Sequence, residues 1–432
     1  MRMCDWKNKI NSEAFLEKIR PLYADSAEEN VRRYEHLLAL YEETFGSLSD
    51  GSEQIFLFSA PGRTEIGGNH TDHQKGRVLA ASVNMDMIAA VSRTDDHVIR
   101  VKSEGFDLCE IDAKDLSVLE EEKNTTTSLI RGVAAGFARL GCEVGGFRAV
   151  ITSTVLPGSG LSSSAAFEVL IGNIINGLYY EGKADPVRIA RIGQYAENVY
   201  FGKPSGLMDQ MASSVGNILT IDFADEENPV VKKLDADFAA NNLALCIIDS
   251  GASHADLTHE YAAIPEELKE ICALFGKKVL REIPEEQFME DLPRIRKKTG
   301  DRALLRAMHF YADNARVPEQ ARALENNETD TFLKLIRESG ISSWVCLQNI
   351  TPPGAKEHQE MALLLALADK ILGNRGACRV HGGGFAGTCQ AFVPLDILDA
   401  FTTEMDRLLG EGSCHVLSVR PVGGTQIVLD QA

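Results

Sequence analysis

The stretch that most limits what this chain can fold into is residues 147–178. A β-branched, strand-like run (147–155) passes through LPGSGLSSSAA (156–166) into an apolar helical run from about 165 to 178. Gly158 and Gly160 allow tight backbone curvature, and three serines stand where the helix should start. A helix N-terminus presents unpaired N–H groups and the positive end of the helix dipole, an arrangement suited to phosphate. The same residues also describe a Ser/Gly loop with an ordinary serine cap. The pattern G-x-x-x-x-G-K-[ST] occurs nowhere in the chain, so a phosphate loop here is of another kind.

Around this unit, strands and helices mix without regular β-α-β alternation, which favours α+β over a doubly wound sheet. Residues 11–46 are charged and helix-patterned; residues 55–59, 87–93, 98–102, 217–223 and 243–248 read as strands. Helices are expected at 128–140 and 186–200, the latter with Pro186 in its first turn. The polar run 225–242 reads as a connection between lobes. Residues 261–371 are mostly helical, followed by strands at 378–381 and 390–393, a helix at 394–409 and a closing strand at 426–429.

Composition narrows the function classes. The chain has 432 residues, enough for two or three domains or one two-lobed unit. Its 44 Lys+Arg against 63 Asp+Glu give a net charge of −19, which repels nucleic acid and anionic membranes. Nine cysteines, with no C-x-x-C pair, point to free thiols in a reducing compartment. The N-terminus has no secretory h-region and no long apolar run exists, so a cytoplasmic enzyme is expected.

Three further segments carry chemistry. APGRTEIGGNHTDH (60–73) packs Arg63, Glu65, Asn69, His70, Asp72 and His73 behind an apolar strand. It suits a polyol pocket, a metal site using His70, Asp72 and His73, or a solvated loop. ENVYFGKPSGLMDQ (197–210) sets Asp209 among apolar neighbours, as a general base or as a helix cap. VHGGGFAGT (380–388) matches G-x-G-x-x-G, but a strand follows it, so a glycine turn between strands fits better than a dinucleotide loop.

In this order, the segments resemble the GHMP small-molecule kinases, and APGR…IGGNHTDH narrows the resemblance to the galactokinase branch, whose signature reads G-R-x-N-x-I-G-E-H-x-D-Y. LPGSGLSSSAA resembles the family's phosphate loop, GKPSGLMDQ its catalytic-aspartate segment and RVHGGGFAGT its third, Gly-rich motif. The resemblance spans roughly residues 40–430. It implies an α+β, two-lobed fold with the active site between the lobes: a helical arm (1–46), an N-terminal lobe (47–235) and a C-terminal lobe (236–432). It implies ATP-dependent phosphorylation of a galactose-type sugar at its anomeric hydroxyl, with Mg2+. The partners are a small sugar and ATP, with no nucleic acid or membrane, and the chain is a monomer or weak homo-oligomer.

Position by position, the resemblance implies that Arg63 and Asp209 are the catalytic pair. Gly158, Ser159, Gly160, Leu161, Ser162, Ser163 and Ser164 surround ATP's phosphates, with Gly383 and Gly384 beside them. Ser164 and Glu197 hold the metal, and Asn69, His70, Asp72 and Tyr261 meet the sugar. The departures are also informative. Thr64 and Glu65 stand where an Asn and an apolar residue are usual, Asn69 replaces a glutamate that receives the sugar's 6-hydroxyl, and His73 replaces a tyrosine. Ala386-Gly387-Thr388 replaces Gly-Gly-Cys, and AAIPEE follows Tyr261 where basic residues are usual. Losing the carboxylate at 69 implies tolerance of an anionic C6 group. Galacturonate, N-acetylgalactosamine or arabinose are thus alternative substrates, and a non-catalytic sugar and ATP sensor is the alternative function.

Overall fold

A computed structural model describes residues 1–46, 53–155, 160–252 and 257–429. Helices α1 (Met3–Lys9), α2 (Glu13–Tyr23) and α3 (Ala27–Phe45) precede β1 (Phe56–Gly67), β2 (Arg77–Arg93), β3 (Val98–Ser103) and β4 (Leu108–Asp112). Then come α4 (Thr126–Ala138), β5 (Phe147–Ser153), α5 (Ser163–Tyr179), α6 (Pro186–Tyr195), α7 (Met208–Val215), β6 (Ile218–Asp222), β7 (Val230–Leu234) and β8 (Leu243–Asp249). Helices α8 (Thr258–Leu274), α9 (Glu285–Glu290), α10 (Leu292–Glu325), α11 (Thr329–Ser342) and α12 (Glu360–Leu372) follow. The chain closes with β9 (Ala377–His381), β10 (Thr388–Pro394), α13 (Leu398–Leu409), β11 (Cys414–Leu417) and β12 (Thr425–Ile427).

Two sheets organise these elements. The eight-stranded sheet runs β12-β1-β2-β5-β3-β4, with β6 and β7 attached beyond β2; the four-stranded sheet runs β11-β8-β10-β9. Strand alternation covers both faces of each. In the larger sheet, Phe58, Ala89 and Val91 face the core under α4 and α5, while Leu57, Ile88, Ala90 and Val150 face α2 and α3. In the smaller, Leu245, Ile247 and Phe392 join that same main core, while Cys246, Ile248, Ala391 and Val393 meet α12 and α13.

The N-terminal helices are therefore a layer rather than an arm. On α2, Phe15, Ile19, Leu22 and Tyr23 share one buried face, and Ser12 Oγ caps the helix by accepting from the Phe15 N–H. A buried charge cluster ties the layer down. Asp86 accepts from Arg33 Nη1 (2.8 Å), Arg420 Nη1 (3.0 Å), Tyr23 Oη (2.6 Å) and Ser59 Oγ (2.5 Å).

The expected boundary at residue 235 is crossed by one late element. The main core is continuous between the sheets, and the last strand returns to the first sheet, where Ile427 pairs with Leu57. The polar run 225–242 is not simply a connection, because β7 lies within it and pairs antiparallel with β6. The α+β reading holds, and α6 begins as expected, with Pro186 at its start and Asp185 Oδ1 capping the Arg188 N–H at 2.8 Å.

Candidate active site

Strand β1 delivers the first catalytic candidate. The β1–β2 register shifts between Pro61 and Arg63, with the extra residues on β2 opposite Gly62. The Arg63 N–H donates to Leu161 O (3.0 Å), docking the loop before α5 onto β1, and a Cβ at Gly62 would lie 3.0 Å from the same oxygen. The Arg63 guanidinium then holds Asp209 in a fork: Nε to Oδ1 at 2.6 Å and Nη2 to Oδ2 at 2.7 Å. Its Nη1 donates to Gly160 O.

Asp209 lies in the first turn of α7, where the helix dipole favours an anion. Ser162, in the left-handed region (φ 58), donates its Oγ to Asp209 Oδ2 at 2.6 Å. Burial pushes the Asp209 carboxyl up. The Arg63 charge and hydrogen bonds outweigh it, with help from Ser162 and Lys203, and the carboxyl rests below its ordinary value. Arg63 is 8% exposed and Asp209 30%, so the carboxylate is the half of the pair that faces outward. Such a carboxylate orients a hydroxyl first and accepts its proton as the bond to phosphorus forms.

On the other side of α7 stands Glu197. It lies in a π-helical turn (Ala196–Phe201) that extends α6. Its Oε1 accepts from Ser164 Oγ (3.4 Å) and Lys203 Nζ (3.1 Å), and its Oε2 from Ser205 Oγ (2.6 Å) and Gln210 Nε2 (2.9 Å). Ser164 and Glu197, expected as a metal pair, are thus brought together at the start of α5. A hydroxyl and a carboxylate oxygen fit magnesium, which uses few protein ligands and completes its shell with phosphates and water. Among the described residues no group of three or more His, Cys, Asp and Glu is arranged to hold a metal, so His70, Asp72 and His73 do not form a metal centre.

The third motif packs across both segments. A Cβ at Gly160 (φ 71) would lie 2.9 Å from both His381 Nδ1 and Thr388 Oγ1, so the Ser-rich loop rests on these two side chains. His381 Nε2 accepts from the Glu65 N–H (3.2 Å), which makes Nδ1 the protonated nitrogen, donating to Thr388 Oγ1 (2.9 Å). Burial and the Arg63 and Arg379 charges push this imidazole well below its ordinary range. Gly383 and Gly384, expected beside the phosphates, turn their carbonyls to two of the residues expected at the sugar. His70 Nε2 donates to Gly383 O (3.0 Å) and Tyr261 Oη to Gly384 O (2.6 Å). Gly158 and Ser159 lie outside the described residues.

Asn69 requires a correction. It has no exposed surface, and its amide is fully occupied: Nδ2 donates to Glu65 Oε1 (3.0 Å) and Gly382 O (2.7 Å), while Oδ1 accepts from Asn349 Nδ2 (2.9 Å). It braces the wall of the site rather than opening onto it, which removes the basis for expecting tolerance of an anionic C6 group. The carboxylate lies at Glu65 instead, buried and paired with Arg379 Nη2. Asp72 packs against the segment before α7, since a Cβ at Gly206 would lie 2.2 Å from Asp72 Oδ2. Asp72, His73, Ser205 and Gly206 are among the residues lining a cavity of about 1130 Å³, which also takes in Arg139, Arg188 and Arg191. Glu168, Gln210, Arg379 and His381 were not singled out from the sequence, and Glu65 was noted there only as a polar residue and a departure from the signature. The usable signals were adjacency, Gln210 following Asp209, and helical spacing, Glu168 lying one turn after Ser164.

The chain matches two family models: "Galactokinase galactose-binding signature" over residues 39–93 and "GHMP kinases N terminal domain" over residues 128–217. A curated galactokinase from Streptomyces coelicolor is 30% identical over 359 residues, covering 82% of this chain and 89% of that protein. The fold matches the crystal structure of Lactococcus lactis galactokinase complexed with galactose, with a TM-score of 0.77 at 23% identity, over 91% of this chain and 99% of that one. It also matches the mevalonate kinase of Methanococcus jannaschii, with a TM-score of 0.60 at 15% identity, over 85% and 99%. The signature match encloses Arg63, His70 and Asp72, and the domain match encloses Ser164, Glu197 and Asp209. By these matches and this geometry, the chain belongs to the galactokinase family of GHMP kinases.

Proposed function

We propose that the chain transfers the γ-phosphoryl group of ATP to the anomeric hydroxyl of galactose, giving galactose 1-phosphate and ADP. The observation that carries this reading is the two-point Arg63–Asp209 pair held against the Ser-rich loop. Asp209 orients the sugar hydroxyl and takes its proton. Arg63 keeps Asp209 ionised and offers positive charge where negative charge grows on the phosphoryl oxygens. Residues 160–163 and the N-terminus of α5 face the phosphates with backbone N–H groups. Ser164 and Glu197 would hold magnesium, which when bound would supply charge neutralisation at the phosphates. His70, Asp72 and Tyr261 shape the sugar end.

The setting follows from the same reading. No helix among the described residues is long and apolar enough to cross a membrane, and all nine cysteines are free thiols. Both are consistent with a cytoplasmic enzyme acting as a monomer or weak homo-oligomer on dissolved sugar and Mg-ATP.

The test is product identification. The protein is incubated with Mg-ATP and a panel of galactose, galacturonate, N-acetylgalactosamine and arabinose, and the phosphate is located by 31P and 1H NMR. Galactose 1-phosphate is the expected main product. Preference for another sugar, or phosphate at another hydroxyl, overturns the reading, and no ADP with any sugar supports a sensor instead.

A further inference from the structure

One buried acid close to the Ser164–Glu197 pair has no task in the mechanism. Glu168 lies one turn after Ser164 on α5 and has no exposed surface. Among the described residues its Oε1 has no hydrogen-bond partner, and its Oε2 accepts from Gln210 Nε2 at 2.9 Å. That same Nε2 donates to Glu197 Oε2, also at 2.9 Å. One fully buried amide therefore spans two carboxyl groups inside the protein. Burial and the neighbouring Glu197 charge push the Glu168 carboxyl well above its ordinary range, which favours a neutral acid and relieves repulsion between the two. The packing leaves little slack. A Cβ at Gly193 on α6 would lie 3.1 Å from both Glu168 Oε2 and Gln210 Cγ.

The consequence falls on Glu197. With Oε2 held by Gln210 and Ser205, its Oε1 is left toward Ser164 and Lys203. We infer that Gln210 and Glu168 are positioning residues: Gln210, steadied by Glu168, fixes the Glu197 carboxylate so that Oε1 and Ser164 together meet the metal–nucleotide. This rests on the phosphoryl-transfer reading above. Because Gln210 adjoins Asp209, one turn of α7 sets both the group that handles the sugar hydroxyl and the carboxylate on the nucleotide side.

The experiment compares wild type with Gln210→Met, Glu168→Leu and Glu168→Gln. Mn2+ with ADP is titrated and followed by the EPR signal of free Mn2+, melting temperatures are recorded, and KM is measured separately for Mg-ATP and galactose. Gln210→Met and Glu168→Leu are expected to weaken Mn2+·ADP binding and raise the Mg-ATP KM by about 10-fold or more, the scale typical of a lost partner behind a metal ligand. The galactose KM is expected to stay within a few-fold. Glu168→Gln retains an oxygen that accepts from Gln210 and should bind Mn2+·ADP nearly as wild type does. Unchanged Mn2+·ADP binding in folded Gln210→Met overturns the inference, as does a Glu168→Gln defect equal to that of Glu168→Leu. A wild type that binds Mn2+·ADP but phosphorylates no sugar would sink the proposed function alone, since the metal-binding comparison is still readable. If Glu168→Leu does not fold, the contrast of Gln210→Met with Glu168→Gln decides.

Discussion

Arg63 and Asp209 are 146 residues apart in sequence, yet meet through two parallel hydrogen bonds of 2.6 and 2.7 Å. A planar guanidinium can hold both carboxylate oxygens while its remaining nitrogen fixes Gly160 O; an ammonium cannot. Arg63→Lys should therefore keep the charge and still lose about 10²–10³ in kcat, the scale of one lost transition-state donor. Steady-state kinetics at saturating Mg-ATP and galactose measure it, with circular dichroism confirming the fold. A lysine variant within a few-fold of wild type would show that charge alone suffices.

Acid sensitivity should begin well above the carboxylate range. Burial and the His73 charge push His70 down to about 4, and burial likewise depresses His309 and His381. The unfolded chain takes up protons near the ordinary histidine value of about 6.5, while the folded protein resists them. Stability is therefore full above about 6.5 and falls as the pH drops toward 4. Urea unfolding from pH 7.5 to 4.5 should show a midpoint that declines below about 6.5, and a flat profile would mean that these rings take up protons as readily in the fold as in the unfolded chain.

The Asp86 cluster should hold the N-terminal layer to the sheet. Burial pushes its carboxyl up, but the Arg33 and Arg420 charges and the Ser59 and Tyr23 hydrogen bonds bring it below its ordinary value. Asp86→Asn leaves Arg420, itself fully buried, without its counter-charge, and should cost about 3–5 kcal/mol. Tyr23→Phe removes one charge-assisted hydrogen bond and should cost about 1.5–3 kcal/mol. Both are read from urea unfolding at pH 7; an Asp86→Asn loss under about 1 kcal/mol would mean the apolar layer alone secures these helices.

A second buried pair, Glu65 with Arg379, joins the signature segment to β9. Arg379 also donates to Ile66 O (2.8 Å) and Val380 O (3.0 Å). Arg379→Met strands the Glu65 carboxylate and should destabilise by about 3–5 kcal/mol, whereas adding Glu65→Gln should recover part of that loss. A double-mutant cycle on unfolding free energies checks this. Strict additivity would mean that the two side chains do not act together.

Much of this was readable from local pattern. Strand β5, the Ser-rich loop and α5 follow from β-branched, Gly/Ser and apolar runs, whereas the setting of Asp209 left a base and a helix cap open and only the resemblance of GKPSGLMDQ singled it out. What escaped depends on distant chain segments. Asn69 looks like a polar ligand group in a row of polar residues, but Gly382 and Asn349, far along the chain, close over it. Strand β7 was hidden because its pattern, VVKKL, is largely exposed and paired only with β6. Strand β12 is too short to announce which sheet it joins. Glu168 sits in an apolar helix, where one acid carries no local sign of the Gln210 it meets from α7.

The measurement that bears most directly on the account is kcat for Asp209→Asn with Mg-ATP and galactose, beside galactose binding by calorimetry. Asparagine keeps the shape and a hydrogen bond to the hydroxyl but cannot accept its proton. The account predicts a fall of about 10²–10⁴ in kcat with galactose affinity within a few-fold of wild type. A variant that turns over near the wild-type rate would contradict the role assigned to Asp209 and to the Arg63 that holds it.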